Sequence, residues 1–284
     1  MKKINHYLSL VKFSHTIFAL PFALIGFALA LKTNEPFQLK LFLLVLLCMV
    51  FARSAAMAFN RYIDRDFDIL NPRTAIREIP SGIINAKNAL TFVIINCLLF
   101  ILSTYFINSI CFYLSPVALF VVLFYSYTKR FTPLCHLVLG VGLALAPIGA
   151  YLAVTGVFNW LPLLFSFTVL FWVSGFDIIY ALQDEAFDRE NKLKSIPVLL
   201  GTKNALLFSR LLHICSILCV VSAGYFGHLS ILYWIGVAGF TGLIVFQHAL
   251  VTPTDLSKIN LAFFTTNGVA SVLFATCTII SFFI

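Results

Sequence analysis

The sequence predicts an all-α fold, a polytopic membrane bundle of nine transmembrane helices, and three observations carry that expectation. First, 61% of the 284 residues are hydrophobic and only 11% are charged, with a mean hydropathy of +1.00, whereas water-soluble domains carry about 25% charged residues. A bilayer accepts this much apolar surface, on condition that each spanning backbone pairs its polar groups within a helix or a closed barrel. Second, the apolar runs are far longer than the roughly ten alternating residues of a barrel strand. Third, the basic residues segregate to one side of the predicted spans.

Apolar runs of spanning length fall near 15–31, 41–59, 89–107, 110–128, 134–154, 161–182, 205–226, 231–250 and 263–284. Nine crossings put the two termini on opposite sides. With the N-terminus cytoplasmic, that side collects Lys2, Lys3, Lys12, Arg53, Arg61, Arg65, Arg73, Arg77, Lys87, Lys129, Arg130, Arg189, Lys192, Lys194, Lys203, Arg210 and Lys258. Only Lys32 and Lys40 remain outside, and seventeen against two is a strong positive-inside bias. The expected location is therefore the inner (cytoplasmic) membrane, with the N-terminus and the two long loops, 60–88 and 183–204, on the cytoplasmic side. Pro80-Ser81-Gly82 reads as a turn closing the first loop, and Gly201 as a break near the end of the second.

The net charge of +8 is mostly topology, and a nucleic-acid partner is excluded because the charges sit in short juxtamembrane loops. The seven cysteines lie in or beside apolar runs without a CxxC pair, as small hydrophobes rather than disulfides or zinc ligands. The run at 15–31 lacks a small-residue cleavage site and reads as a retained span. Residues 1–284 are expected to form a single domain.

Eight of the eleven acidic residues fall in two clusters: Asp64, Asp66 and Asp68 at the end of the second span, and Asp177, Asp184, Glu185, Asp188 and Glu190 at the end of the sixth. On a helix continuing out of the second span, Asn60, Asp64 and Asp68 recur every four residues and share a face, while Asp66 points elsewhere. Asp177, Tyr180, Asp184 and Asp188 form a second stripe. Both spans cross in the same direction, so both stripes emerge at one membrane face. Two such rows repel in a low dielectric, and a bound cation resolves the conflict. Carboxylates and an amide oxygen, without cysteine or histidine, favour Mg²⁺ or Mn²⁺ over zinc. Because Mg²⁺ takes few carboxylates and completes its shell with water and substrate phosphates, facing Asp-rich helices suit a Mg²⁺-bound diphosphate.

Asn60, Asp64, Asp68, Asp184 and Asp188 are the expected metal-holding set. Arg73, Arg77, Lys129 and Arg130 are expected to meet phosphate or acceptor charge, with Arg65 and Lys192 as further basic neighbours. Asp177 lies two turns deeper than Asp184, where an ionisable group marks function, and is expected to orient a partner. Tyr180 accompanies it on the stripe. Asp66, Glu185 and Glu190 fall off the stripes and are expected to be solvated.

The stretches Asn60-Arg61-Tyr62-Ile63-Asp64-Arg65-Asp66-Phe67-Asp68 and Asp177-Ile178-Ile179-Tyr180-Ala181-Leu182-Gln183-Asp184-Glu185-Ala186-Phe187-Asp188 resemble the two Asp-rich motifs of the UbiA superfamily of intramembrane aromatic prenyltransferases. The segment from Asn71 to Gly82 is similar to that family's loop after the first motif, and Tyr127-Thr128-Lys129-Arg130 to its basic segment after the fourth span. Many members carry an aspartate where this chain has Arg61, so a metal contact from that position does not carry over. The Asn-Arg variant resembles the branch close to the 4-hydroxybenzoate polyprenyltransferases. The resemblance implies transfer of a prenyl chain from a Mg²⁺-bound prenyl diphosphate to an aromatic acceptor in the lipid bilayer, in ubiquinone-type or, with a naphthoate-type acceptor, menaquinone-type biosynthesis. A divalent-cation transporter is the rival reading of the same acids, weakened by the lack of a matching acidic site in the outer half.

Overall fold

The computed structural model describes residues 2–11, 18–33 and 35–284; Lys12, His15 and the start of the first predicted span lie outside them. The helices are α1 (Lys2–Leu10), α2 (Leu20–Leu31), α3 (Leu39–Asp68), α4 (Ala86–Tyr105), α5 (Ser109–Thr128), α6 (Cys135–Thr155), α7 (Trp160–Ala181), α8 (Glu185–Glu190), α9 (Ile196–Phe226), α10 (Ile231–Leu250) and α11 (Asn267–Ser281). Among the described residues, eight helical segments are long and apolar enough to cross a membrane, and the shorter apolar α2 is the described part of the remaining span. The chain is an all-α polytopic membrane protein.

Local chemistry explains where several helices begin. Asn85, Asn108, Asn159 and Ser195 stand just ahead of α4, α5, α7 and α9, and each side chain accepts from a backbone N–H of the first turn. Pro197 follows Ser195 in the first turn of α9, where its missing N–H costs nothing. Gly156, in the left-handed region at φ 66°, ends α6.

The most deeply packed helix is α7, held between α6 and α9, with Phe165, Val169, Trp172, Val173 and Phe176 buried along it. Small residues let these helices approach closely, as expected where lipid supplies no hydrophobic drive between them. A Cβ on Gly140 of α6 would stand 2.3 Å from the Ser174 hydroxyl and 2.5 Å from the Leu170 carbonyl oxygen of α7.

Two expected boundaries move. The first Asp cluster lies on an unbroken α3 through Asp68, so the loop behind it begins at Ile69 rather than near residue 60. In the second long loop, a short 3₁₀ turn (Leu182–Asp184) and α8 follow α7, and α9 starts at Ile196 with a non-helical Gly201 (φ 73°, ψ 163°) inside it. The expected break at Gly201 is present, but as a kink within a helix that begins earlier than 205. Gly82, at φ 76°, forms the expected turn after Pro80.

Candidate active site

Side chains from four segments meet at the ends of α3, α5 and α7. Asn60 donates to Asp64 at 3.0 Å, the i, i+4 contact that a shared helical face requires. The other Asp64 oxygen accepts from Arg130 Nη2 at 3.1 Å, and the same nitrogen reaches the Ile63 carbonyl at 3.0 Å. Arg77 Nη1 meets Asp68 at 2.6 Å. Lys129, one residue before Arg130, turns to the second cluster and meets Asp188 at 2.7 Å. Two adjacent basic residues at the end of α5 thus divide between the two rows of acids.

The loop after α3 joins the rows a second time. Arg73 contacts Asp184 through Nε at 3.1 Å and Nη2 at 2.5 Å, and the Tyr180 hydroxyl through Nη1 at 3.2 Å. Asn71 adds a bond to Asp184 at 3.2 Å, while its own carbonyl oxygen accepts from the Arg73 backbone N–H at 3.0 Å. Burial works against charge on Arg73 and on Lys129. The carboxylates of Asp184 and Asp188, respectively, outweigh it, with Tyr180 adding to the effect on Arg73, and hold both groups above their ordinary ranges.

Asp177 takes another direction. Its carboxylate meets Nδ1 of His136, on α6, at 2.7 Å. The 3₁₀ turn at Leu182–Asp184 means that the second cluster is not one continuous helical stripe: Tyr180 and Asp184 share Arg73, Asp177 faces α6, and Asp188 faces the end of α5.

Asp68 and Asp188 are buried, and Oδ2 of each finds no hydrogen-bond donor among the described residues. An orphaned carboxylate oxygen at a buried position is costly unless something positive meets it. A carboxylate oxygen of this kind in each row is the type of ligand a hard divalent cation takes. No group of three or more His, Cys, Asp or Glu side chains among the described residues is gathered into a ready metal cage; the carboxylates instead hold basic side chains.

The off-stripe acids differ in fate. Asp66 is exposed and lies 3.6 Å from Arg65, which also donates to the Tyr62 carbonyl at 2.7 Å; Glu190 is exposed. Glu185, expected to be solvated, is instead half-buried: it accepts from Arg189 and from Thr202 of α9, each at 2.8 Å, pinning α8. Lys192 is exposed.

Three residues carry more than the motifs suggested. His136 has no sequence signal beyond a polar residue at a span end. Arg53 counted among the cytoplasmic charges but sits inside α3, half-buried and seven residues before Asn60, so helical periodicity puts it on the Asn60 face about 10 Å deeper. Arg61 is buried within α3, within electrostatic reach of Asp68 and Glu78. Beside the charged region stands an aromatic wall: Tyr180 packs on Phe263 at 4.2 Å between ring centroids, and Phe18 lies 5.5 Å from Phe263 and 5.6 Å from Phe176.

Known proteins resemble the chain over most of its length. The chain is 31% identical over 226 residues to the 4-hydroxybenzoate octaprenyltransferase of Tolumonas auensis, covering 78% of each chain. It is 29% identical to the enzyme of that name from Nitrosospira multiformis, covering 84% of this chain and 82% of that one. The apo structure of a UbiA homologue from Aeropyrum pernix K1 superposes with a TM-score of 0.85 at 32% identity, over 94% of this chain and 97% of that one. A UbiA homologue from Archaeoglobus fulgidus bound to DMAPP and Mg²⁺ shares the fold, with a TM-score of 0.74 at 22% identity over 98% and 99% of the two chains. The model of the UbiA prenyltransferase family matches residues 19–269, nearly the whole bundle and every carboxylate of both rows, and the chain belongs to that family of membrane prenyltransferases.

Proposed function

We propose that this prenyltransferase moves a polyprenyl group from a Mg²⁺-bound prenyl diphosphate to 4-hydroxybenzoate or a closely related aromatic quinone precursor. The observation that carries the reading is the convergence of two acidic rows at one end of the bundle, each acid matched by a basic side chain and one buried oxygen in each row left open. The names of its relatives and the DMAPP and Mg²⁺ held by a protein of the same fold support it.

Asn60, Asp64, Asp68, Asp184 and Asp188 would hold the metal, which supplies positive charge to the departing diphosphate. Arg73, Arg77, Lys129 and Arg130 exchange their carboxylate partners for phosphate oxygens, so the site stays near neutral when loaded. The wall of Tyr180 and Phe263 lies where an allylic cation develops, and aromatic faces stabilise such a cation while excluding water. Transport of a divalent cation is not favoured, since nothing among the described residues at the outer end matches the acidic rows.

The site opens to the cytoplasm and the protein resides in the inner membrane, on the strength of the basic asymmetry. Reporter fusions at the two termini test this: opposite sides are expected, and the same side for both would remove one span. For the chemistry, purified protein is assayed with isoprenyl diphosphates of graded length and a panel of hydroxybenzoates and hydroxynaphthoates, with and without Mg²⁺. Metal-dependent prenylation of a hydroxybenzoate is the expected result. Exclusive use of a naphthoate moves the acceptor to the menaquinone type, and failure with every aromatic overturns the reading.

A further inference from the structure

The charged end of the bundle accounts for the diphosphate but not for the proton that an aromatic ring sheds on substitution, and the Asp177–His136 pair is placed to deal with it. Asp177 lies on α7, seven residues before Asp184, which ends the 3₁₀ turn that follows that helix, so it stands roughly 10–12 Å deeper by the rises of the two helix types. From Trp172 to Ile179 it is the one residue not buried, so its carboxylate borders open space amid packed neighbours. One oxygen is occupied by His136 Nδ1 at 2.7 Å, and the other has no hydrogen-bond partner among the described residues.

His136 is immobilised on every side. Its side chain is 4% exposed, its carbonyl accepts from the Ser174 hydroxyl at 3.1 Å, and its Nε2 is approached by the backbone N–H of Ile196 at 3.4 Å. An N–H aimed at Nε2 requires a lone pair there, which puts the ring proton on Nδ1, pointing at Asp177. His136 therefore has no free acceptor of its own. It donates to a carboxylate and orients it, much as a buried acid orients a histidine in a hydrolase triad, with the roles exchanged.

We propose that Asp177 is the proton acceptor of the transfer reaction and that His136 is its positioning residue; the inference rests on the function proposed above. The electron pair of the allylic C–O bond leaves with the diphosphate. A ring carbon of the acceptor uses a π pair to form the C–C bond, the C–H pair of that carbon returns to the ring, and the proton passes to the open oxygen of Asp177 and later to solvent. Atoms and charge balance without a further reagent.

The test uses the purified full-length enzyme with geranyl diphosphate and 4-hydroxybenzoate, the latter also deuterated on the ring. His136→Leu removes the donor and should lower kcat about 100-fold, with KM for the diphosphate within about twofold and a ring-deuterium isotope effect appearing as proton removal becomes slow. His136→Asn restores an N–H donor and should recover kcat to within about tenfold of wild type. Asp177→Asn, which keeps shape and a partner for His136, should show the same loss of kcat at normal KM and supplies the answer if His136→Leu does not fold. Wild-type kcat in Asp177→Asn, equal losses in His136→Asn and His136→Leu, a loss confined to KM for the diphosphate, or no isotope effect in the slowed variants would each overturn the proposal. Wild-type enzyme that prenylates no aromatic acceptor sinks the functional reading itself, a result distinguishable from all of these.

Discussion

The two acidic rows do related work on different scaffolds. The first sits on an uninterrupted helix, where Asn60 and Asp64 bond to each other at i, i+4 and α3 runs through Asp68. The second is spread over α7, a 3₁₀ turn and α8, and its acids face three directions: His136 on α6, Arg73 in the loop after α3, and Lys129 at the end of α5. A continuous helix fixes relative positions through its own backbone hydrogen bonds. A broken one must be held from outside, and the bond from Thr202 of α9 to Glu185 supplies such a hold on α8. The first row is thus the rigid wall of the site, and the second is the wall whose shape depends on its neighbours.

If both walls grip the same charged ligand, Asp64→Asn and Asp184→Asn should each reduce transfer by about 10³-fold while the protein stays inserted and folded, because each swap keeps shape and removes charge. Rates measured across a Mg²⁺ titration at matched expression check this. Loss in only one of them would break the symmetry between the rows. Next in size, arginine-to-lysine changes sharpen the contrast: Arg73 grips Asp184 through two nitrogens and Tyr180 through a third, whereas Arg77 and Arg130 each reach their aspartate through one nitrogen. Arg73→Lys should slow transfer by about 100-fold and the other two by about tenfold, since lysine keeps the charge but not the planar fork. Equal effects would mean that the resting contacts do not foretell the loaded ones.

A smaller effect is expected on stability. Lys129→Met leaves the Asp188 carboxylate, with 1% of its side chain exposed, without its cation, while Lys129 itself is 32% exposed. Discounting for that exposure, the cost should be about 1–2 kcal/mol. In thermal unfolding followed by fluorescence, Mg²⁺ should restore more of the loss in this variant than it adds to wild type. The smallest effect belongs to Asp66→Asn: the side chain is 79% exposed and, among the described residues, its one ion pair is with Arg65, so activity should stay within about twofold. A loss as deep as that of Asp64→Asn would show that the one-face geometry of α3 is wrong.

The first row was open to reading in the sequence because a regular helix converts spacing into direction: four residues bring a side chain back to the same face. The same rule applied to Asp177, Tyr180, Asp184 and Asp188 treated a broken segment as continuous, and the 3₁₀ turn at Leu182–Asp184 carries no distinctive residue to announce it. His136 and Glu185 escaped for a related reason. Their partners, Asp177 and Thr202, lie 41 and 17 residues away, and contacts across such separations follow from packing rather than local pattern. Arg53 was misplaced because a count of charges by loop takes no account of which residues stay inside a helix.

By itself the sequence determined the bundle, its expected orientation and the two acidic rows, because hydropathy answers to the bilayer and periodicity answers to the helix, both of which act locally along the chain. Which base meets which acid was decided only when the helices packed. Lys129 and Arg130 are neighbours in sequence, yet one serves Asp188 and the other Asp64, since the end of α5 comes to lie between α3 and the α7–α8 segment. The close approach of Gly140 to α7 likewise brings His136 within reach of Asp177. Such pairings depend on where low-dielectric packing brings opposite charges close enough to outweigh their desolvation, and that is a property of three dimensions.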